Sequence, residues 1–159
     1  MQKGWDTGHQ EKIEKNGERI YNSNLSESLG AAWNVADIAE GSTVVIFGLG
    51  TVGLSVAQGA KLRGASQIIG VDTNPEKHEK AKVFGITHFI NPNDFKEPIQ
   101  QVVKSITNGG ADYSFECIGD TGMITTALQS CCDGCGLTVT LGVPKLKPEI
   151  SAHYGVIVQ

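Results

Sequence analysis

Three glycines at fixed spacing are the residues of this chain best suited to holding a bound anion. The segment Gly48-Leu49-Gly50-Thr51-Val52-Gly53 matches the pattern G-x-G-x-x-G. In that pattern the first glycine permits a sharp turn, the second lets a pyrophosphate approach the backbone, and the third lets a helix pack closely. The N–H groups of the first helical turn would then face the anion. The motif alone also suits a glycine-rich turn that binds nothing, so its place among the secondary-structure elements must decide.

An acidic residue follows the glycines at the distance that ribose binding requires. Asp72 comes nineteen residues after Gly53, where the next predicted strand ends. A carboxylate there accepts hydrogen bonds from the ribose hydroxyls of an adenosine, although an acidic turn residue is the alternative for any single Asp. The segment from Val71 to Asn74 contains no Arg to accept a 2′-phosphate, which favours NAD over NADP. Lys77 could reach the same ribose or a phosphate, or simply be a solvated lysine.

The elements that would position these residues alternate regularly from Gly30 onward. Short β-branched and apolar runs predict strands, and capping residues, glycine stops and helical periodicity predict the helices between them. The strands are Ser42–Phe47, Gln67–Val71, His88–Ile90, Asp112–Cys117 and Leu137–Leu141; the helices are Ala31–Ala39, Val52–Arg63, Asn74 (as cap, with Pro75 first) to Gly85, Phe95–Thr107 and Thr121–Cys131.

This alternation predicts an α/β fold, a doubly wound parallel sheet of the Rossmann type. We expect one domain over residues 29–159, with its sheet incomplete near the last strand. Met1–Ser28 is polar, with no sustained apolar period, and we expect it to be an arm without regular structure.

Two further loops are expected to meet the same ligand. Ile118-Gly119 follows the fourth strand, and Leu141-Gly142-Val143 follows the fifth. Ligands of open α/β sheets lie at the carboxyl ends of the strands. Ile118 would form an apolar wall beside an adenine, and Leu141 and Val143 would lie near the same edge.

Composition excludes several classes of function. The 159 residues carry a formal charge of −4, which gives no electrostatic footprint for nucleic acid or an anionic membrane. No apolar run approaches the roughly 18 residues of a membrane-spanning helix. Four cysteines, three of them crowded together, do not resemble a secreted disulfide framework, so we expect a cytoplasmic protein.

The crowded cysteines also raise the question of a metal site. Cys131, Cys132 and Cys135 supply three thiolates, whereas a tetrahedral structural zinc site needs four ligands. Packing as small hydrophobic residues at a helix end is the alternative that we favour. The four histidines are scattered, without metal-binding spacing. We predict no metal site in this chain.

Several ordered motifs resemble the zinc-dependent medium-chain alcohol dehydrogenases, with the plant alcohol dehydrogenase-like and class III members most similar. They are the segments Gly30–Ala36, Val44–Gly50 and Phe115–Gly119, and the resemblance covers about Leu29–Val158. It implies that Gly48, Gly50, Thr51 and Val52 line the pyrophosphate, that Asp72 and Lys77 hold the adenosine ribose, that Ile118 flanks adenine, and that Leu141 and Val143 approach the nicotinamide.

The chain also departs from that family. The resemblance implies zinc in the complete family, bound largely by an N-terminal catalytic domain that is absent here. Ser23 stands where the family has a zinc-ligating Cys, and Gly8-His9-Gln10 echoes a family motif at far too short a spacing. We therefore expect an NAD-binding domain of an alcohol dehydrogenase-like oxidoreductase, without catalytic residues and inactive alone.

Two alternatives remain open from the sequence. One is a non-catalytic, truncated module that dimerises through its sheet edge near Glu149–Ser151. The other is a methyltransferase dependent on S-adenosylmethionine, which also uses a glycine-rich first turn and an acid after the second strand; the third glycine, Gly53, favours the dinucleotide.

Overall fold

Five parallel strands form one sheet in this computed structural model, which describes residue 30 and residues 36–142. The strands are β1 (Thr43–Phe47), β2 (Gln67–Val71), β3 (His88–Ile90), β4 (Tyr113–Glu116) and β5 (Leu137–Thr140). Their order across the sheet is β3-β2-β1-β4-β5, and every neighbouring pair is parallel. The predicted doubly wound α/β fold is confirmed, and the predicted strands match these bounds to within one residue at each end.

Four α-helices connect the strands. They are α1 (Thr51–Leu62), α2 (Lys77–Phe84), α3 (Ile99–Ile106) and α4 (Thr121–Ser130), with a short 3-10 helix at Pro92–Asp94. Gly85 ends α2 in the left-handed conformation, at φ +110°. Asp120 caps α4 by accepting a hydrogen bond from the amide of Met123. Both ends follow ordinary helix-capping chemistry.

The alternating side chains of the strands build two cores, one on each face of the sheet. Val44 and Ile46 of β1 pack on one face with residues of α1 and α2. Val45 and Phe47 pack on the other face with residues of α3 and α4. All four side chains are fully buried. Because both faces of β1 are covered, its sequence is a continuous apolar run rather than an alternating one.

Three predicted helix boundaries are wrong. Residues 36–39, the described end of the predicted helix Ala31–Ala39, are not helical, because Asp37 has a positive φ of 46° that a right-handed helix excludes.

Asn74 and Pro75 do not open α2. The side chain of Asn74 accepts a hydrogen bond from the amide of Glu76 in a turn, and the helix begins at Lys77. The helix predicted from Phe95 begins only at Ile99, since Pro98 is extended and a residue before proline disfavours helix.

Other predictions fall on residues that are not described. The polar arm Met1–Ser28, Val143, and the edge segment Glu149–Ser151 all lie outside the described residues. Within the described part of the chain, no helix is both long and apolar enough to cross a membrane.

Candidate nucleotide-binding site

The loops after four strands meet at the carboxyl edge of the sheet. β1 lies at the centre and pairs with β2 on one side and β4 on the other. The order of connections reverses between β1 and β4, which is the switch point where open α/β sheets place their ligands. The loops after β1, β2, β4 and β5 carry the predicted site residues, and the structure brings their described members together.

Each of the three glycines in the turn after β1 has a different structural role. Gly48 has φ +89°, and its amide donates a 2.8 Å hydrogen bond to the carbonyl of Val71. A Cβ on Gly53 would lie 1.9 Å from the carbonyl oxygen of Gly48, so only glycine fits where α1 crosses the turn. A Cβ on Gly50 would meet nothing within 4 Å. Gly50 thus faces open space, as a backbone approached by a ligand must.

The start of α1 provides unpaired amide groups beside that open space. Gly50 is the N-cap residue, no side chain caps this end, and the first turn contains no acidic residue. The first amide to bond back into the helix is that of Leu54, which donates to the carbonyl of Gly50. Exposed Thr51 and half-buried Val52 therefore present N–H groups to an anion, supported by the positive end of the helix dipole.

Asp72 links the glycine turn to the loop after β2. Its Oδ2 atom accepts hydrogen bonds from the amide of Leu49 at 2.8 Å and from Nζ of Lys77 at 2.7 Å. Its Oδ1 atom accepts one from the amide of Asn74 at 2.9 Å. A carboxylate has about four acceptor positions, so one remains on Oδ1. The side chain is only 8% exposed.

The charge of Asp72 is well stabilised. Burial raises the pKa of this carboxyl, but the hydrogen bond from Lys77, the amides of Asn74 and Leu49, and the charge of Lys77 together outweigh burial and leave the pKa below its ordinary value of 3.8. Asp72 is therefore an anion at neutral pH. Lys77 is 37% exposed and can turn toward a ligand without leaving this corner of the site.

Leu49 contributes its backbone rather than its side chain. The Leu49 side chain is buried, and its methyl groups lie where a Cβ on Gly70 of β2 would stand. The glycine at position 70 therefore makes room for Leu49 within the core. The Leu49 amide alone lies at the site edge, where Asp72 accepts its hydrogen bond.

The loops after β4 and β5 form the opposite wall. Ile118 is 50% exposed. Its Cγ1 atom lies 2.6 Å from the position that a Cβ would occupy if Gly48 carried a side chain. Gly142 approaches Gly119 so closely that a Cβ on Gly142 would lie 2.0 Å from the Gly119 amide nitrogen. Ile118 thus offers an exposed apolar surface beside the glycine turn, while half-buried Leu141 stands next to the Gly142–Gly119 contact.

Glu116 is the site residue that sequence reasoning did not select. Its Oε1 atom accepts hydrogen bonds from the amides of Ile118 at 2.8 Å and Gly119 at 2.7 Å. Its main-chain carbonyl accepts the amides of Leu141 and Gly142. The sequence signal that could have identified Glu116 is the presence of a charged residue at the end of a buried strand. Glu116 fixes both loops of this wall, so it positions the residues that are predicted to face a ligand.

Half-buried Cys117, buried Cys131 and one buried carboxylate oxygen lie near the sheet. The Cys117 pKa is raised to about 12 by burial and by the charge of Glu116, so this thiol stays protonated. Cys131 is buried and packs as expected, whereas Cys132 is half-buried and Cys135 is exposed, against the expectation that all three pack inside. Oε2 of Glu116 is buried without a hydrogen-bond partner among the described residues.

The groups at this edge of the sheet suit a nucleotide better than a metal ion. Uncapped amides, an open glycine, an anionic carboxylate and an exposed isoleucine surround one edge of the sheet. Among residues 36–142 no group of three or more His, Cys, Asp or Glu side chains could hold a metal ion.

Comparison with known proteins agrees with this architecture. Residues 51–158 match the family model described as zinc-binding dehydrogenase. The chain is 74% identical over 132 residues to alcohol dehydrogenase-like 6 of Arabidopsis thaliana, covering 83% of this chain and 35% of that protein. It is 54% identical over 129 residues to alcohol dehydrogenase class-3 of Oryza sativa subsp. japonica, covering 81% and 34%.

A solved structure gives the same relationship at lower identity. A protein described as a zinc-binding dehydrogenase from Sinorhizobium meliloti 1021, bound to NADP, aligns with a TM-score of 0.74 at 26% identity, covering 84% of this chain and 39% of that one. The chain spans about a third of the length of the curated relatives it matches. The chain belongs to the zinc-binding dehydrogenase family, the zinc-type medium-chain alcohol dehydrogenases, and carries that family's Rossmann-type domain.

Proposed function

We propose that this chain is the NAD(H)-binding part of an alcohol dehydrogenase-like oxidoreductase. The observation that carries the proposal is the Asp72 carboxylate, which is bound to the Leu49 amide beside the open backbone of Gly50. In this arrangement the amides at the start of α1 would hold the pyrophosphate, and Asp72 with Lys77 would hold the adenosine ribose. Ile118 and Gly119 would lie against the adenine, with Leu141 and Val143 toward the nicotinamide.

The preference for NAD over NADP follows from charge. Asp72 is anionic and would repel a 2′-phosphate, and the only cation that contacts it in the described part of the chain, Lys77, is already paired with it. The relative bound to NADP makes the phosphorylated cofactor the competing possibility, so both cofactors must be measured. Family membership favours either of them over S-adenosylmethionine.

The chemistry of the complete family is a hydride transfer between an alcohol and the nicotinamide, for which a zinc ion polarises the substrate oxygen. The described residues of this chain offer no group of ligands for that ion. We therefore propose that the chain alone binds the cofactor without turning over an alcohol.

The remaining expectations belong to the same proposal. We expect the chain to act in the cytoplasm, and a homodimer to form through the sheet edge near Glu149–Ser151. The support for the dimer is that β5 pairs only with β4 among the described strands and so ends the sheet. A non-catalytic module that pairs with full-length relatives through this edge is the alternative.

Calorimetric titration with NADH and NADPH tests the proposal. We expect NADH to bind more tightly than NADPH, and Gly50→Ala to weaken NADH binding, because the added methyl group points into the space that the pyrophosphate would use. The thermal midpoint should not fall, since this methyl group meets nothing within 4 Å and Gly50 has a φ of −79° that alanine accepts. The matched control is Gly122→Ala in α4, which should leave binding unchanged.

Three results would contradict the proposal. They are the absence of NADH binding by folded protein, unchanged binding in Gly50→Ala, and binding of S-adenosylmethionine alone. Production of NADH from ethanol by the isolated chain would refute the claim that it is inactive alone, without affecting the claim that it binds NADH.

A further inference from the structure

Two cysteine thiols face each other across the turn between α4 and β5. The Sγ atoms of Cys132 and Cys135 lie 3.7 Å apart, in contact but not bonded. We propose that these two residues are a modification site, a dithiol that forms a reversible intramolecular disulfide by exchange with a small peptide disulfide such as oxidised glutathione. The inference is independent of the proposed cofactor, because the turn precedes β5 and so lies at the end of the sheet opposite the nucleotide site.

The turn holds the two thiols close together. At one end of the turn the amide of Cys132 donates a 2.9 Å hydrogen bond to the carbonyl of Ala111. At the other end the amide of Leu137 donates a 2.9 Å hydrogen bond to the main-chain carbonyl of Asp112. Gly134 inside the turn has φ +92°, which lets the chain reverse within a few residues. A disulfide needs the sulfur atoms at about 2 Å, closer than their present separation of 3.7 Å, and we expect rotation of the two side chains to close this gap.

The other cysteines are engaged elsewhere. Cys131 is buried, and its Sγ atom contacts Oγ1 of Thr138 at 3.4 Å and the carbonyl of Leu137 at 3.7 Å. Cys117 lies after β4, and its pKa of about 12 keeps it as an unreactive thiol. The pair is therefore selected by position and exposure from the four cysteines of the chain.

The surroundings favour thiol exchange over metal binding. No third ligand joins the pair among the described residues, and the nearest carboxylate in sequence, Asp133, pairs with Nζ of Lys104 at 3.0 Å. The two cysteines also border a surface depression lined by polar residues that include Lys104, Gln129 and Thr138. A peptide-sized disulfide can therefore reach the exposed sulfur of Cys135.

The exchange takes place in two balanced steps. The thiolate of Cys135 attacks one sulfur of oxidised glutathione, so the bond between the two glutathione sulfurs breaks and one glutathione thiolate leaves. The thiolate of Cys132 then attacks the Cys135 sulfur, and the second glutathione leaves. The protein loses two thiol protons, which the two glutathione thiolates take up, and two protein thiols are oxidised while one disulfide is reduced.

Exposure sets the order of these steps. Cys135 is exposed and Cys132 is half-buried. Burial and the adjacent Cys135 thiol also raise the pKa of Cys132, so its thiolate is scarce at neutral pH. Cys135 is therefore the residue that attacks first, and Cys132 resolves the mixed disulfide.

Peptide mapping of the full chain tests this assignment. The reduced protein is incubated with oxidised glutathione, alkylated after denaturation and digested without reductant. We expect the peptide containing Cys132 and Cys135 to lose both alkylation sites and the mass of two hydrogen atoms, while Cys117 and Cys131 are alkylated. Cys132→Ser should retain one glutathione on Cys135, because no second thiol resolves the adduct. Cys135→Ser should carry neither a bridge nor an adduct at Cys132.

The control variant is Cys131→Ala, which removes the adjacent buried thiol and should form the same bridge. The proposal is overturned if the unmodified chain keeps as much glutathione on Cys135 as Cys132→Ser does. It is equally overturned if the bridge joins Cys131 or Cys117, or if it joins two chains. Mapping of the unmodified chain decides these outcomes even if a variant folds poorly.

Discussion

The amide of Leu49 donates a 2.8 Å hydrogen bond to the carboxylate of Asp72, a residue 23 positions later in the chain. This bond joins the glycine turn after β1 to the loop after β2. The residue proposed to bind the ribose is therefore also the residue that holds the turn beneath the proposed pyrophosphate position. A substitution at Asp72 should change folding stability and cofactor binding together.

Asp72→Asn should destabilise the protein at neutral pH by about 1–3 kcal/mol, because it removes the charge from a hydrogen-bonded, largely buried group. The pKa of Asp72 is lower in the folded state than its ordinary value of 3.8. Its stabilising contribution is therefore fully present above the unfolded pKa and is lost as the pH falls through the folded pKa. Urea unfolding of both proteins at about pH 6 and about pH 3 should show the difference shrinking in acid.

The matched control for this charge change is Asp133→Asn. Asp133 also pairs with a lysine, but its side chain is 73% exposed, and exposed ion pairs contribute little. We expect a much smaller loss of stability there at either pH. A difference between Asp72→Asn and the unmodified chain that persists unchanged at the acid pH would contradict the assigned role of the charge.

Gly53→Ala should be severely destabilising. The added methyl group would lie 1.9 Å from the Gly48 carbonyl oxygen and 3.3 Å from a methyl group of Ile46, so α1 would have to move away from the sheet. Overpacking typically costs about 1–3 kcal/mol and occasionally more, and a contact this short with the backbone places Gly53→Ala at the upper end. Thermal unfolding monitored by circular dichroism measures it. A melting temperature equal to that of Gly50→Ala would show that the two glycines do not differ as the geometry requires.

Much of the architecture is predictable from the sequence, and the reason is burial. β1 and β2 are covered on both faces, so their residues are continuous apolar runs with turn residues on each side. The close approach of Gly53 to Gly48 also follows from the G-x-G-x-x-G pattern, because that glycine spacing is typical of a helix packed closely against the strand that precedes it.

The features that the sequence does not reveal depend on contacts between distant residues. The left-handed conformation of Asp37 breaks a pattern that is locally helical. The role of Glu116 depends on amides after its own strand and on β5, which become neighbours only when the sheet forms. The contact between Cys132 and Cys135 likewise requires a turn whose two ends are fixed by Ala111 and Asp112.

Lys77→Ala should weaken NADH binding by about tenfold, the loss expected from one charge-assisted hydrogen bond of about 1.4 kcal/mol. In the structure Nζ of Lys77 contacts Asp72, which places it beside the proposed ribose position. Lys80→Ala, an exposed lysine on the same helix, is the control and should bind NADH normally. Fluorescence titration of both variants measures the change. Equal affinities would remove Lys77 from the proposed site.

Glu116 offers a test of how the opposite wall is held. Glu116→Ala leaves the amides of Ile118 and Gly119 without their acceptor and opens a cavity in a fully buried position. We expect it to cost about 2–4 kcal/mol. Glu116→Gln keeps the oxygen that accepts both amides, and its NH₂ group replaces Oε2, which has no partner among the described residues. It should therefore cost at least about 1 kcal/mol less than Glu116→Ala.

Urea unfolding and NADH titration of the two Glu116 variants separate positioning from bulk stability. If Glu116 positions the loop, NADH affinity should fall in Glu116→Ala and recover largely in Glu116→Gln, since the acceptor atom returns. If the two variants lose affinity equally while differing in stability, the hydrogen bonds to Ile118 and Gly119 do not position the wall. In that case the negative charge of Glu116, rather than its acceptor geometry, is what the site requires.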